Sequence, residues 1–147
     1  MKMFTSILVP TDFGEPSERA LEVAIDLAKR DNAELTVLHV FDVPPSYAAM
    51  DIAPMDLLTP MWSAARQQTA CVIAKVRESL PSATELTAMG VPWREILATI
   101  EQKHPDLVVV GTHGRRGLPR ALLGSVAEKI VRLSPCPVLT VRAKGED

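Results

Sequence analysis

The run Asp106-Leu107-Val108-Val109-Val110-Gly111 restricts the possible folds more than any other segment. A β-branched stretch with no polar face suits a strand covered on both sides, and such strands belong to parallel sheets layered with helices. Ile7-Leu8-Val9, stopped by Pro10, and Leu35 through Phe41 have the same character. Thr84 to Met89 alternates polar and apolar residues, as a half-exposed edge strand does. Pro137-Val138-Leu139-Thr140-Val141 supplies a fifth strand.

Helical patterns separate these runs. Residues 17–30 set Ala20, Leu21, Ala24, Leu27 and Ala28 on one face with charges opposite. Thr59-Pro60 reads as an N-cap followed by proline at the first helical position. The helix it opens carries Trp62, Ala65, Thr69, Val72, Ile73, Val76 and Leu80 on one face and ends at Pro81. Gly90-Val91-Pro92 turns the chain into a third helix with Ile96, Leu97 and Ile100 inward, and Pro105 ends it by disfavouring helical geometry at His104. A fourth helix spans Ser125 to Leu133, and the one long connection lies between Asp42 and Pro60.

Strands alternating with helices predict an α/β fold: an open five-stranded parallel sheet with helices on both faces, Rossmann-like, in one domain over residues 1–147. A chain of 147 residues is of one-domain size and needs no metal or disulfide to hold its core. In such sheets the ligand crevice lies beyond the carboxyl ends of the strands, where the strand order reverses. Pro10–Gly14 and Gly111–Gly124 are therefore its expected walls.

Charge and composition narrow the partners. Sixteen Lys plus Arg stand against 18 Asp plus Glu, a net charge of −2, which argues against a DNA-coating protein. One Tyr, three Phe and two Trp also supply few stacking platforms for single-stranded nucleic acid. No stretch approaches the roughly 20 apolar residues of a membrane span. Cys71 and Cys136 are far apart without metal-like spacing, and read as reduced thiols of a cytoplasmic protein.

The loop after the fourth strand suits phosphate. Gly111, Gly114, Gly117 and Gly124 let backbone N–H groups approach an anion, and Gly124-Ser125 opens a helix whose N-terminus carries partial positive charge. Arg115, Arg116 and Arg120 gather positive charge in an acidic chain. The loop lacks the lysine of a Walker A sequence. A reading without ligand stands beside this one: Ser125 and Glu128 have the spacing of a capping box, and the arginines that of a solvated face.

Asp12 follows the first strand, across the expected switch point from that loop. A carboxylate there suits ribose hydroxyls or a divalent ion beside phosphates; otherwise it is a turn residue before the first helix. His39 reads as a core or crevice-wall histidine, and His113 as a residue that orders the glycine loop or meets phosphate. Trp62 and Met61 read as packing. No nucleophilic triad and no zinc-hydrolase motif is present.

Ile7-Leu8-Val9-Pro10-Thr11-Asp12-Phe13, Leu38-His39-Val40, Asp106 to Gly114 and Ser134-Pro135-Cys136-Pro137-Val138-Leu139 together resemble the universal stress protein family. Gly111, Gly114, Gly124 and Ser125 fill that family's G-x-x-G, nine residues, G-S pattern, which marks its ATP-binding branch. Gly14 departs from the serine of many relatives. The resemblance implies strand order 3-2-1-4-5, a fold like that of adenine nucleotide alpha hydrolases, and a homodimer through Val138–Val141. It implies an ATP site, with Mg²⁺ or Mn²⁺ as candidate companions. Pro10, Thr11 and Asp12 would line the adenosine side, and Val40 would meet adenine through its backbone. Gly111, Gly114, Gly124, Ser125 and Val126 would hold ribose and phosphates. Arg115 and Arg116 join the site from their charge and loop position, and His113 from its place in the loop.

The expected function is that of an ATP-binding stress or signalling module with little or slow hydrolysis, acting on a protein partner the sequence does not name. Two alternatives remain: an α-phosphate hydrolase or adenylating enzyme on a related fold, and an interaction domain with an empty crevice. The first lacks its S-G-G-x-D-S loop, since Pro10-Thr11-Asp12-Phe13-Gly14 stands there instead.

Overall fold

The computed structural model describes residues 2–43, 55–113 and 123–143, without the side chains of 55–57. In chain order the elements are β1 (Ser6–Pro10), α1 (Glu15–Asp31), β2 (Glu34–Phe41), α2 (Met55–Ser79), β3 (Thr84–Met89), α3 (Pro92–Lys103), β4 (Leu107–Gly111), α4 (Ser125–Leu133) and β5 (Val138–Val141). All strands run parallel in one sheet of order β3-β2-β1-β4-β5. Both the fold class expected from the sequence and the strand order implied by the family resemblance are found.

This order follows from the chain's path. It winds outward from β1 to β3, then returns to the other side of β1 as β4. Right-handed crossovers in opposite directions place their helices on opposite faces of the sheet. Ala20, Ala24 and Ala28 of α1 and Ile73 and Val76 of α2 pack on Ile7, Val9, Leu35, Val37 and Val109. On the other face Ile96 and Ile100 of α3 and Ile130 of α4 pack on Leu8, Leu38, Val40 and Val108. Successive residues of the central strands are thus buried on alternate faces, which is why those runs carry no polar side. Each fully buried Leu, Ile or Val side chain contributes roughly 1.5–3 kcal/mol.

The central strands separate at one end. β1 pairs with β2 from Ser6 through Pro10, but its register with β4 covers only Ile7 and Leu8. The Thr11 N–H donates to the Leu38 carbonyl at 2.8 Å, toward β2. Successive residues turn to opposite neighbours, so Pro10 turns toward β4 a nitrogen with no hydrogen to donate. Pro10 therefore ends the β1–β4 ladder while remaining part of β1. At the opposite end Asp31 accepts from the N–H groups of Met3 and Phe4 at 3.0 and 2.8 Å. Asp106 accepts there from the Thr5 N–H and hydroxyl, both at 2.8 Å, and from the Ser6 N–H at 3.1 Å.

Two expected helix starts need correction. α2 begins at Met55, so Pro60 lies inside the helix and Thr59 is not its N-cap. Proline so near a helix start removes one ladder bond, while the buried face of Ala65, Thr69, Ile73 and Val76 still favours the helix. α1 begins at Glu15, with Gly14 as N-cap and Pro16 in the first helical positions. His104 caps α3 in the left-handed region at φ 50°, as Pro105 after it favours a non-helical residue.

Candidate functional site

The parted ends of β1 and β4 open a cleft of about 930 Å³ at the carboxyl end of the sheet. That volume lies in the range of roughly 300–1,000 Å³ usual for small-molecule sites. Pro10, Thr11, Asp12, Val40, Gly111, His113, Gly124, Ser125 and Val126 all line it. The loops after β1 and β4 thus share one cavity with the end of β2 and the start of α4. Gly114, Arg115 and Arg116 lie outside the described residues.

The β1 loop is held by its own polar groups. Asp12 Oδ1 accepts from the Gly14 N–H at 2.9 Å and the Ser17 hydroxyl at 2.8 Å. Thr11 Oγ1 accepts from the Phe13 N–H at 3.1 Å and lies 3.2 Å from Ser17 Oγ. Asp12 therefore has the turn role as well as a place in the cleft. The tight turn puts Phe13 at φ 66°, a conformation that an aromatic residue seldom adopts. The Phe13 ring lies 4.2 Å from the His39 ring, centroid to centroid. His39 is a cleft wall, and its Nδ1 is 2.8 Å from the Thr11 carbonyl. A carbonyl only accepts, so Nδ1 carries the hydrogen. His113 is buried, with Nδ1 3.2 Å from Thr112 Oγ1.

At α4 the capping box is not formed. Gly124 is the N-cap and Ser125 the first helical residue, so Ser125 Oγ is not in the capping position. Glu128 pairs instead with Arg132 at 3.5 Å. The Gly124 N–H donates to the Thr112 carbonyl at 2.6 Å, tying the helix start to the end of β4. The first ladder bond runs from the Glu128 N–H to the Gly124 carbonyl at 2.9 Å. The N–H groups of Ser125, Val126 and Ala127 precede it, and all three residues line the cleft. The anion-attracting groups are thus those after Gly124 rather than that of Gly124 itself.

Gly111 is a glycine for a second reason: a Cβ there would stand 2.8 Å from the Pro16 carbonyl carbon and 2.9 Å from the Ser17 nitrogen. Sequence reasoning missed one wall completely. Met61, Ala64, Ala65 and Gln68 of α2 line the cleft at i, i+3, i+4 and i+7. That helical spacing is legible in the sequence, but it merges with the core stripe one position round the helix, where Trp62 and Thr69 stand.

A doubly wound parallel sheet with a ligand-sized cleft at its switch point defines the class of small-molecule-binding α/β domains. The chain matches the universal stress protein family over residues 3–142 and belongs to that family. It is 35% identical to universal stress protein MJ0531 of Methanocaldococcus jannaschii over 142 residues, 95% of this chain and 83% of that one. The structure of UspA from Lactobacillus plantarum is similar with TM-score 0.81 at 27% identity, covering 94% of this chain and 97% of that chain. A more distant family member from Arabidopsis thaliana, solved with AMP bound, shares the fold at TM-score 0.66 and 19% identity, covering 97% and 94% of the two chains.

Proposed function

We propose that this chain binds ATP in the cleft between the β1 and β4 loops and acts as a nucleotide-dependent module in a cytoplasmic stress response. The observation that carries the reading is the convergence of the α4 N-terminus, the Asp12 turn and the open ends of β1 and β4 on one cavity of about 930 Å³. The N–H groups of Ser125 and Val126 suit phosphate oxygens, and the Ser125 hydroxyl adds a donor. Asp12 suits ribose hydroxyls, and its hard oxygen ligands also suit Mg²⁺ or Mn²⁺ alongside the phosphates. Gly114, Arg115 and Arg116 extend this reading from sequence alone. The bound AMP of the Arabidopsis relative supports an adenine nucleotide.

Hydrolysis is expected to be slow or absent, since the sequence carries no Walker lysine and no motif that assigns a water-activating base or an arginine finger. The state of the γ-phosphate then acts as a signal rather than a fuel. β5 is a sheet edge with Leu139 and Thr140 exposed, which supports a homodimer through Val138–Val141. No described helix is long and apolar enough to cross a membrane.

Mass spectrometry of the purified, denatured protein, with calorimetric titration of ATP, ADP and AMP in parallel, tests the reading. Retained ATP, or ATP affinity without turnover, supports it. Release of AMP and pyrophosphate would replace it with an α-phosphate enzyme, and no affinity at millimolar nucleotide would leave an interaction domain.

A further inference from the structure

We infer that Gln68 on α2 selects the base, reading the 6-amino group and N7 of adenine; this inference rests on the ATP reading above. α4 follows β4 on one side of β1, whereas α2 meets the end of β2 on the other side, so the cleft has two chemically different ends. Triphosphate is drawn to the helix N-terminus at α4, where N–H groups precede the first ladder bond. The uncharged base is then directed to the other end, walled by Met61, Ala64, Ala65 and Gln68. α2 is anchored at that end by Trp62, whose ring meets Phe41 at the end of β2 edge-on, 6.4 Å between centroids. Two alanines beside each other leave a shallow surface, suited to a flat ring.

The polar side chains at this end differ in what they can read. His39 directs Nδ1 to the Thr11 carbonyl. Asp42, exposed at the end of β2, only accepts. Gln68 holds a carbonyl and an amide NH₂ side by side, so it can accept from the 6-amino group and donate to N7 together. A 6-oxo purine presents acceptors at both O6 and N7, and leaves the Gln68 carbonyl facing an oxygen. Preference for adenine follows from this pairing without any charge.

Calorimetric titration of ATP, inosine triphosphate and 7-deaza-ATP into the parent, Gln68→Leu and Gln68→Arg tests the assignment. Gln68 is exposed on its helix, and both replacements favour helix, so folding is retained and circular dichroism checks it. The parent is expected to prefer ATP over each analogue by about tenfold or more, the usual discrimination of one two-bond base contact. Gln68→Leu should lower ATP affinity toward that of 7-deaza-ATP and narrow both preferences. Gln68→Arg should turn the ATP-to-inosine ratio toward inosine, since its two donors match O6 and N7; the ratio cancels any general attraction of arginine for triphosphate. A parent that binds ATP, with all ratios unchanged in both variants, overturns the role of Gln68 and leaves the nucleotide reading intact. A parent that binds none of the three overturns both.

Discussion

Gly111 at the end of β4 lies so close to Pro16 at the start of α1 that a Cβ on it would stand 2.8 Å from the Pro16 carbonyl carbon. The obstacle is backbone, with Ser17 N at 2.9 Å, so no side-chain rotation relieves it. Gly111→Ala is expected to push α1 from the sheet and destabilise the fold by about 1–3 kcal/mol, the usual range for overpacking. Urea unfolding of parent and variant measures it. An unchanged midpoint would mean that the helix start yields freely.

Phe13 holds φ 66° while its ring packs on His39. Two substitutions separate strain from packing. Phe13→Ala loses the ring contact and keeps the strain, whereas Phe13→Gly loses both. The glycine variant should therefore be the more stable of the two, by about 1 kcal/mol. Equal unfolding midpoints would show that the turn relaxes in the alanine variant.

The central strands were legible because burial on both faces leaves an unbroken apolar run, as in Ile7-Leu8-Val9 and Leu107 to Val110, whereas their order came from the family resemblance alone. The start of α2 was not legible. Thr59-Pro60 carries the local signature of a helix beginning, yet the apolar face beyond it sustains a helix from Met55. Ser125 and Glu128 likewise have the spacing of a capping box, but the Gly124 N–H bond to Thr112 moves the cap back by one residue. The α2 cleft wall stayed hidden because Ala65 serves both the core and the cavity. Spacing gives a helix face, and only the packed fold decides how many surfaces share it.

Acid stability should depend on the two carboxylates that hold the first strand. The Arg30 side chain, followed by the Phe4 N–H, leads in holding Asp31 down to about 2, against the effect of its burial. For Asp106, burial is the largest influence and raises the pKa, but the hydrogen bonds of Thr5 and Ser6 together prevail and lower it. A lowered folded-state pKa stabilises the fold above the unfolded-state value and is lost as pH falls through the folded-state value. The parent should thus lose stability as pH falls from about 4 toward 2. Asp31→Asn and Asp106→Asn should be less stable at neutral pH and show a flatter decline over that interval. Unfolding midpoints measured from pH 7 down to 2 check both slopes, and parallel curves for parent and variants would remove these carboxylates from the account.

Ser125→Ala distinguishes a ligand contact from a cap. Since Gly124 is the cap, loss of the Ser125 hydroxyl should change stability by no more than about 0.5 kcal/mol. ATP affinity should nonetheless fall severalfold, through loss of one phosphate donor. Thermal unfolding without nucleotide and calorimetry with it give the two quantities. A stability loss with unchanged affinity would assign the hydroxyl to the helix alone.

The homodimer proposed through β5 has a directional test. Thr112 N–H donates to the Val141 carbonyl and Val108 N–H to the Pro137 carbonyl, so the odd-numbered residues of this strand turn to β4. Val138 and Thr140 consequently turn their backbone groups outward, to the open edge. Thr140→Pro removes an outward donor while sparing the β4 ladder, and should convert a dimer into monomer without unfolding it. Leu139→Pro removes a donor facing β4 and should destabilise the fold as well. Sedimentation equilibrium and circular dichroism of both variants read the two effects apart. A folded dimer in Thr140→Pro would place the subunit interface on a surface other than this strand.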